Sequence, residues 1–294
     1  MKIGIYGQFY HWDSGVYIKE LFDILDQENI EVCIEKNFLD LIHEHKILNK
    51  NYKHFTAFKE LDNSYDLFFS IGGDGTILKS INYIQDLNIP ILGINTGRLG
   101  FLATIQKEEI KRSISSILQK KYEISERTVL CIETNPNSEE IGETNFALNE
   151  IAVSRKNTTS MITVETWLND KYLTSYWADG LIVSTPTGST GYSLSCGGPV
   201  IVPDTKALVI TPIAPHNLNA RPLVIKDDTK IKLKVSGRED FFLVSMDSRI
   251  ASLSNSVEIT IKIAPFTIKM VEIEKDGFLE TLRKKLLWGE DKRN

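Results

Sequence analysis

The first 122 residues alternate between short apolar runs and segments in which apolar residues recur at helical spacing. The apolar runs lie at residues 2–6, 30–35, 66–71 and 91–94. A run such as 66–71, with few polar residues, is typical of a strand that is buried on both faces. Because alternating strands and helices are typical of a parallel sheet covered by helices, we predict an α/β domain over residues 1–122.

After about residue 122 the pattern changes to a period of two. Between residues 123 and 265, apolar and β-branched residues recur at alternate positions, which is typical of strands with one buried face. We therefore predict a mainly β domain over residues 123–265. Its clearest candidate strands lie at residues 161–167, 171–176, 181–184, 230–235 and 241–246.

Residues 266–294 form a third segment with a different pattern. A strand-like run at 266–274 is followed by a turn at Asp276 and Gly277 and by an amphipathic helix at 278–288. We expect this terminal helix to return to the α/β domain and to dock there.

Composition narrows the class of protein. With 294 residues, of which 42% are hydrophobic, the chain can bury two cores of ordinary size without disulfides. The three cysteines, Cys33, Cys131 and Cys196, lie far apart and form no CxxC pair, which is typical of a reducing compartment. No apolar run approaches about 18 residues, so we expect a cytoplasmic protein without a membrane segment.

The net charge argues against one class of protein, and the histidine content argues against one kind of site. The formal net charge of −5 at pH 7 argues against a nucleic-acid-binding protein, because such proteins carry a basic face. The five histidines show neither the spacing nor the partner residues of a metal site, and we predict no protein-built metal site. An anionic ligand would therefore have to be held by a few local groups.

The most informative motif is the glycine-rich turn Gly72–Thr76 (GGDGT), between the apolar run 66–71 and a predicted helix at 77–86. Glycines let a backbone adopt positive φ and bring its N–H groups close to an anion. In a parallel sheet, ligands bind beyond the carboxyl ends of the strands, where this turn lies. Since a carboxylate does not attract a phosphate, we expect Asp74 to take part in chemistry beside a phosphate site.

Three further segments carry polar residues that suit a nucleotide. Residues 94–102 contain two glycines after a strand, and they either line the same crevice or form an ordinary turn. Asn149 and Glu150 interrupt an apolar run, so they either bind the two hydroxyls of a ribose or mark the end of a strand. The segment 179–195 is rich in hydroxyl residues and glycine, which suits a phosphate or a sugar.

Taken as a set, these segments resemble the NAD kinase family over nearly the whole chain. The glycine-rich turn alone is less specific, because diacylglycerol and sphingosine kinases share it and phosphofructokinases carry a relative of it. The segments of the β half make the resemblance specific. Those that carry it are Gly72–Thr76, Asn95–Leu102, Asn149–Glu150, Asp179–Thr190 and Pro215–Pro222.

The resemblance implies transfer of the γ-phosphoryl group of ATP to the 2′-hydroxyl of the adenosine ribose of NAD, which yields NADP and ADP. Asp74 maps onto the family's catalytic aspartate, which accepts the proton of that hydroxyl. The resemblance further implies a divalent metal ion, Mg²⁺, that enters with ATP, and a homodimer or homotetramer.

Substrate contacts are implied by the same resemblance. Contacts to NAD are expected at Asp74, Gly75, Lys79, Asn149, Glu150, Asp179, Thr190, Gly191, Tyr192, Ser193, Leu194 and Ser195. Further NAD contacts are expected at Ser160, Thr187 and Arg249. The ATP phosphates are expected at Gly72, Gly73, Gly75 and Thr76.

Two positions depart from the family pattern. Trp177 lies two residues before Asp179, where several bacterial members carry arginine, so one charged contact is missing or replaced by stacking. Gly191 stands where alanine is usual, and the loss of a methyl group would widen the pocket.

Two other functions are weighed against the resemblance. A lipid kinase with the same glycine-rich turn would need a broad apolar entrance, whereas the β half offers Asn149, Glu150, Asp179 and hydroxyl groups. A silent NAD-binding regulator has no need of an acid beside phosphates, so Asp74 argues against it. We therefore expect the kinase reaction, with the ligands in a crevice between the α/β domain and the β domain.

Overall fold

The computed structural model describes residues 1–8, 14–157, 160–273 and 277–288. It divides the chain into two compact units. The first unit contains Met1–Glu126 and the chain from Ile268 onward, and the second contains Arg127–Thr267. The divisions that we predict after residues 122 and 265 lie within a few residues of these limits.

The described residues form α-helices, short 3₁₀-helices and strands. The α-helices are α1 (Ser14–Gln27), α2 (Lys36–Glu44), α3 (Asp74–Ile84), α4 (Ile110–Leu118), α5 (Tyr192–Ser195) and α6 (Gly277–Leu286). The 3₁₀-helices are Phe58–Glu60, Lys107–Glu109, Glu139–Ile141 and Thr187–Thr190. Among these described helices, none combines the length and the apolar character needed to cross a bilayer.

The strands alternate with helices in the first part of the chain and then follow one another. They are β1 (Lys2–Gly7), β2 (Glu31–Glu35), β3 (Lys53–Phe55), β4 (Leu67–Gly72), β5 (Ile91–Asn95), β6 (Ile105–Gln106), β7 (Glu123–Arg127), β8 (Leu130–Asn135), β9 (Phe146–Ala147), β10 (Glu150–Arg155), β11 (Ile162–Leu168), β12 (Lys171–Ala178), β13 (Gly180–Ser184), β14 (Ala207–Ile213), β15 (Leu223–Lys226), β16 (Ile231–Gly237), β17 (Phe241–Met246), β18 (Arg249–Ser254), β19 (Glu258–Ile263) and β20 (Ile268–Glu272).

The first unit is built on an eight-stranded sheet in the order β3-β2-β1-β4-β5-β20-β7, with β6 paired on β5. Strands β1 to β5 pair in parallel, and β20 is parallel to β5. The order reverses at β1, because β2 and β3 lie on one side of it and β4 and β5 on the other. In sheets of this kind, ligands bind at the reversal, beyond the carboxyl ends of the strands.

Helices cover this sheet through apolar stripes. In α1, Ile18, Leu21, Phe22 and Leu25 recur at helical spacing, and all four side chains are buried in the core of the unit. The stripe removes apolar surface from water by packing on the strands. The α/β architecture predicted for the first part of the chain is confirmed.

The terminal segment returns to the first unit, as predicted. Strand β20 extends the sheet next to β5, with Met270 opposite Ile91. Helix α6 contacts the same unit through Phe278, whose ring centroid lies 6.2 Å from that of Phe101. The terminal segment therefore completes the sheet and covers a loop of the first unit.

The second unit consists of two six-stranded sheets, in the orders β15-β14-β13-β10-β17-β18 and β12-β11-β16-β19-β8-β9. The strand pairs are antiparallel. Alternate residues of both sheets meet in one apolar core; in β11, Ile162 and Val164 are buried there while Thr163 and Glu165 are half-buried. The mainly β character predicted from the period of two is confirmed.

Candidate active site

The glycine-rich turn lies where β4 leads into α3, beside the reversal of the sheet. Gly72 has a φ of +153°, which L side chains rarely adopt, and a Cβ there would lie 2.1 Å from the Thr76 hydroxyl oxygen. The fold itself therefore requires glycine at this position. Helix α3 begins at Asp74, three residues before the predicted start, because the Thr76 hydroxyl accepts the Gly73 N–H at 3.3 Å and so caps the helix.

The Asp74 carboxylate is held by residues 97–103, which we name the clamp loop. Its Oδ2 accepts the N–H of Phe101 at 2.7 Å, and its Oδ1 accepts those of Leu102 and Ala103, each at 3.0 Å. An ionised carboxylate offers about four lone-pair directions, so three are filled and about one remains for a further donor. These contacts place the clamp loop directly beside the glycine-rich turn.

Two glycines of the turn face open space. A Cβ built on Gly73 or on Gly75 would meet no protein atom within 4 Å, in contrast to Gly72. No neighbour in the described chain therefore requires glycine at these two positions. The absence of a side chain leaves the backbone N–H groups at the start of α3 accessible, which is the arrangement that binds anions at helix N-termini.

The two polar side chains that follow in α3 differ in accessibility. Thr76 is fully buried and its hydroxyl is used in capping, so the geometry does not support a phosphate contact by this side chain. Lys79 is exposed, and its Nζ lies 3.4 Å from the Gln8 Oε1, just beyond the end of β1. Lys79 therefore places a positive charge at the reversal of the sheet.

In the second unit, a buried carboxylate holds the segment that contains Asn149 and Glu150. Asp247, in the turn between β17 and β18, accepts the N–H groups of Leu148 at 2.8 Å, Asn149 at 2.8 Å and Glu150 at 3.2 Å. Burial of this carboxylate raises the pKa of Asp247, while the three N–H donors oppose that rise. The sequence predictions missed Asp247, because its partners lie almost a hundred residues earlier and the only local signal is an aspartate in a hairpin turn.

Four buried polar atoms gather where β10 begins and β13 ends. Glu150 is paired with Ser184 in the sheet, and the N–H of Thr185 donates to the Asn149 carbonyl at 2.9 Å. Buried polar atoms are almost always hydrogen-bonded, so unpaired ones indicate a site for a ligand or water. At this place, the buried atoms without a hydrogen-bond partner in the described chain are Asn149 Oδ1, Glu150 Oε2, Ser184 Oγ and Thr187 Oγ1.

Glu150 can act as both donor and acceptor near neutral pH. Burial, and then the negative charge of Asp247, raises its pKa from 4.5 to about 7, although the backbone N–H of Tyr192 opposes the rise. A carboxyl that holds its proton about half of the time can donate to one hydroxyl or accept from it. A Cβ on Gly191 would lie 3.0 Å from Glu150 Oε2, so the absence of a side chain at Gly191 avoids a tight contact with this buried oxygen.

The hydroxyl-rich segment after β13 is only partly available to a ligand. Ser193 is fully buried and shares a hydrogen bond with Thr211 at 2.8 Å, so its predicted contact to NAD is not supported. The Thr190 hydroxyl donates to the Thr187 carbonyl at 3.2 Å. Tyr192 and Ser195 are exposed, and Leu194 is half-buried.

The remaining predicted contacts have different surroundings. Asp179 forms an ion pair with Arg155 at 2.9 Å, and both side chains are partly exposed. The Arg249 guanidinium donates to the carbonyls of Thr144 and Phe146, so its predicted contact to NAD is not supported. Ser160 is half-buried just before β11.

Trp177 presents an aromatic face to solvent. Its side chain is 51% exposed, and its ring centroid lies 5.5 Å from that of His216. The backbone also links the two residues, since the His216 N–H donates to the Trp177 carbonyl at 2.8 Å. This pair is compatible with the stacking that the sequence suggested in place of an arginine.

The described residues contain no group of three or more His, Cys, Asp or Glu side chains that could hold a metal ion. Mg²⁺ is commonly bound through substrate phosphates with only one or two carboxylates.

Both halves of the chain match models of known protein families. The model described as the ATP-NAD kinase N-terminal domain matches residues 3–122, and the model described as the ATP-NAD kinase C-terminal domain matches residues 148–273. Together these matches cover most of the sequence.

Curated relatives and solved structures agree with the family models. The NAD kinase of Christiangramia forsetii is 71% identical and that of Flavobacterium psychrophilum is 58% identical, each over 294 residues and the full length of both chains. The NAD kinase from Archaeoglobus fulgidus, solved in complex with ATP, has a TM-score of 0.74 at 26% identity and covers 98% of this chain and 99% of its own. Yeast NADH kinase, solved with NADH, has the same fold, with a TM-score of 0.85 at 22% identity over 99% of this chain and 88% of its own. The chain therefore belongs to the NAD kinase family, and it is a phosphotransferase that uses ATP to phosphorylate NAD.

Proposed function

We propose that Asp74 orients the 2′-hydroxyl of the adenosine ribose of NAD and accepts its proton while the γ-phosphoryl group of ATP is transferred to the oxygen. One observation carries this proposal: three backbone N–H groups fix the carboxylate at the start of α3 and leave about one lone-pair direction for a hydroxyl. A fixed acceptor aligns the nucleophile, and alignment supplies much of the rate of phosphoryl transfer.

The phosphates of ATP are proposed to contact the backbone around Asp74. Gly73 and Gly75 leave room for them, and Gly72 provides the backbone bend that exposes the N–H groups. Lys79 adds a positive charge one helical turn further along α3. Mg²⁺ enters with ATP and reduces the negative charge on its phosphates.

NAD is proposed to contact the polar atoms of the second unit. Asn149 and Glu150 suit the vicinal hydroxyls of a ribose, because together they offer donors and acceptors. Ser184, which the sequence predictions did not include, and Thr187 supply two further unpaired hydroxyls. Further contacts are proposed at Ser160, Asp179, Thr190, Gly191, Tyr192, Leu194 and Ser195, with Trp177 as a stacking surface.

Assembly and location follow from the family resemblance alone. We propose a cytoplasmic homodimer or homotetramer, and size-exclusion chromatography with light scattering gives the number of subunits. Both substrates are water-soluble nucleotides, which is consistent with a cytoplasmic enzyme.

Asp74→Asn tests the proposed role. Purified protein is incubated with ATP, Mg²⁺ and NAD, and NADP is detected with an NADP-specific dehydrogenase. General-base groups typically contribute about 10²–10⁴-fold to a rate, so we expect kcat to fall by that factor with the thermal midpoint retained. Asp86→Asn, an exposed aspartate just beyond α3, is the matched control and should leave kcat unchanged. Wild-type kcat in Asp74→Asn would refute the role of this carboxylate.

A further inference from the structure

The position of the Asp74 carboxylate depends on the clamp loop. All three of its N–H donors are consecutive residues of that loop, 101–103. Gly100 lies so close that a Cβ on it would be 1.8 Å from Asp74 Oδ1. A small shift of the loop must therefore move the carboxylate.

The inner side of the clamp loop is fixed by one buried side chain. Asn95, at the end of β5, is fully buried. Its Nδ2 donates to the carbonyls of Arg98 at 2.7 Å and Ala103 at 3.3 Å, and its Oδ1 accepts the Gly97 N–H at 2.8 Å. These bonds tie both ends of the loop to the sheet.

The outer side of the loop is covered by the C-terminal helix. The Phe101 ring lies 6.2 Å from the Phe278 ring, and the Lys285 Nζ lies 5.0 Å from the Phe101 ring centroid. Phe278 and Lys285 are seven residues apart, which places them on one face of α6 two turns from each other. Thr281 and Leu282, between them on that face, are buried and anchor the helix.

Phe101 therefore contacts both the Asp74 carboxylate and α6. Its N–H makes the shortest of the three bonds to Asp74, and its ring is the contact with α6. We propose that α6 is a positioning element of the phosphoryl-transfer site, acting on Asp74 through Phe101 of the clamp loop. This inference rests on the role proposed above for Asp74, and it assigns a part in catalysis to a helix about two hundred residues later in the chain.

Phe278→Ala is the first test, with Leu279→Ala as its matched control. Leu279 is the next residue of α6 and is half exposed, so its truncation alters the same helix without removing the Phe101 contact. Displacement of a reacting group by about 1 Å can cost about 10²-fold in rate, so we expect at least about a tenfold fall in kcat for Phe278→Ala. The KM values for NAD and ATP should stay near those of the wild type, and Phe278→Leu should restore part of kcat. A purely structural role of the helix would instead change KM and the thermal midpoint together with kcat.

Hydrogen–deuterium exchange of the peptide spanning residues 97–103 gives a readout that is independent of turnover. Exchange should accelerate in Phe278→Ala and in Asp74→Ala, and it should match the wild type in Leu279→Ala. Should Phe278→Ala fail to fold, Lys285→Ala removes the other contact from an exposed position and is judged by the same two measurements.

The outcomes separate this inference from the proposed function. If Asp74→Asn loses turnover while Phe278→Ala keeps wild-type kcat and wild-type exchange, the inference about α6 is wrong and the role of Asp74 stands. If Asp74→Asn keeps wild-type turnover, the role of Asp74 is wrong, and accelerated exchange in Phe278→Ala would then show only a structural coupling. Loss of kcat in both variants, with accelerated exchange in Phe278→Ala, supports the inference.

Discussion

Replacement of Glu150 by glutamine should change how the stability of the protein depends on pH. Burial, together with the charge of Asp247, raises the Glu150 pKa from 4.5 to about 7. Between these values the folded protein keeps a proton that the unfolded chain has lost. The free energy of unfolding must therefore fall as the pH rises through this window, and the loss is complete above about pH 7.

The size of this effect follows from the shift. A difference of about 2.5 pH units, at about 1.4 kcal/mol for each, corresponds to about 3 kcal/mol of stability lost between pH 4.5 and pH 7. Glutamine has nearly the same shape but does not ionise, so Glu150→Gln should escape the loss. Its unfolding free energy relative to the wild type should rise by about 3 kcal/mol from pH 4.5 to pH 8.

Denaturant unfolding, followed by fluorescence at intervals of half a pH unit, measures this difference directly. Glu143→Gln serves as the control, because Glu143 is exposed and close in sequence, so its stability difference from the wild type should vary little with pH. A constant difference between Glu150→Gln and the wild type across this range would refute the argument. It would mean that folding does not raise the Glu150 pKa and that the burial of its carboxylate costs little.

Two further predictions concern the backbone, one in each of the two units. Gly73→Ala should raise KM for ATP severalfold without lowering the thermal midpoint, because its Cβ would meet no protein atom within 4 Å. Gly72→Ala, in contrast, should destabilise the fold, because Gly72 has a φ of +153° and a Cβ there would clash with Thr76. An unchanged KM for ATP in Gly73→Ala would contradict a phosphate contact at this turn. Asp247→Ala leaves three N–H groups without their acceptor, and each such group costs about 1–3 kcal/mol if it stays unpaired. We therefore expect the free energy of unfolding to fall by several kcal/mol and KM for NAD to rise. Denaturation and steady-state kinetics check this, and wild-type values of both would show that the segment around Glu150 does not depend on Asp247.

Much of the architecture could be predicted from local pattern. The apolar stripe of α1 and the buried run of β4 identify an α/β half, and the period of two in β11 and β17 identifies a β half. The prediction is less complete in the second unit, where β8, β14, β15, β18 and β19 are not among the candidate strands. Strand β14 is buried along almost its whole length, so it lacks the alternation that identifies a strand with one buried face.

The sequence could also indicate which segments form the candidate site, but it could not indicate which hydrogen bonds their side chains make. Motif spacing indicated Asp74 and Glu150, whereas Thr76, Ser193 and Arg249 proved to be bonded within their own units. A hydroxyl or a guanidinium group offers the same hydrogen-bond donors whether it caps a helix, lies in a protein core or contacts a ligand. Which of these it serves depends on neighbours that the local sequence does not specify.

The sequence by itself determined the elements, their order and the glycine-rich turn, because helical and strand periodicity and turn chemistry act between residues that are close along the chain. Only the tertiary structure decided what holds the Asp74 carboxylate in the first unit and what the Asp247 carboxylate holds in the second unit. The N–H groups that bind Asp74 lie 27 to 29 residues later in the chain, in the clamp loop, and those that bind Asp247 lie 97 to 99 residues earlier. Such bonds depend on sheet order and strand register, which bring distant backbone N–H groups within hydrogen-bonding distance of one side chain.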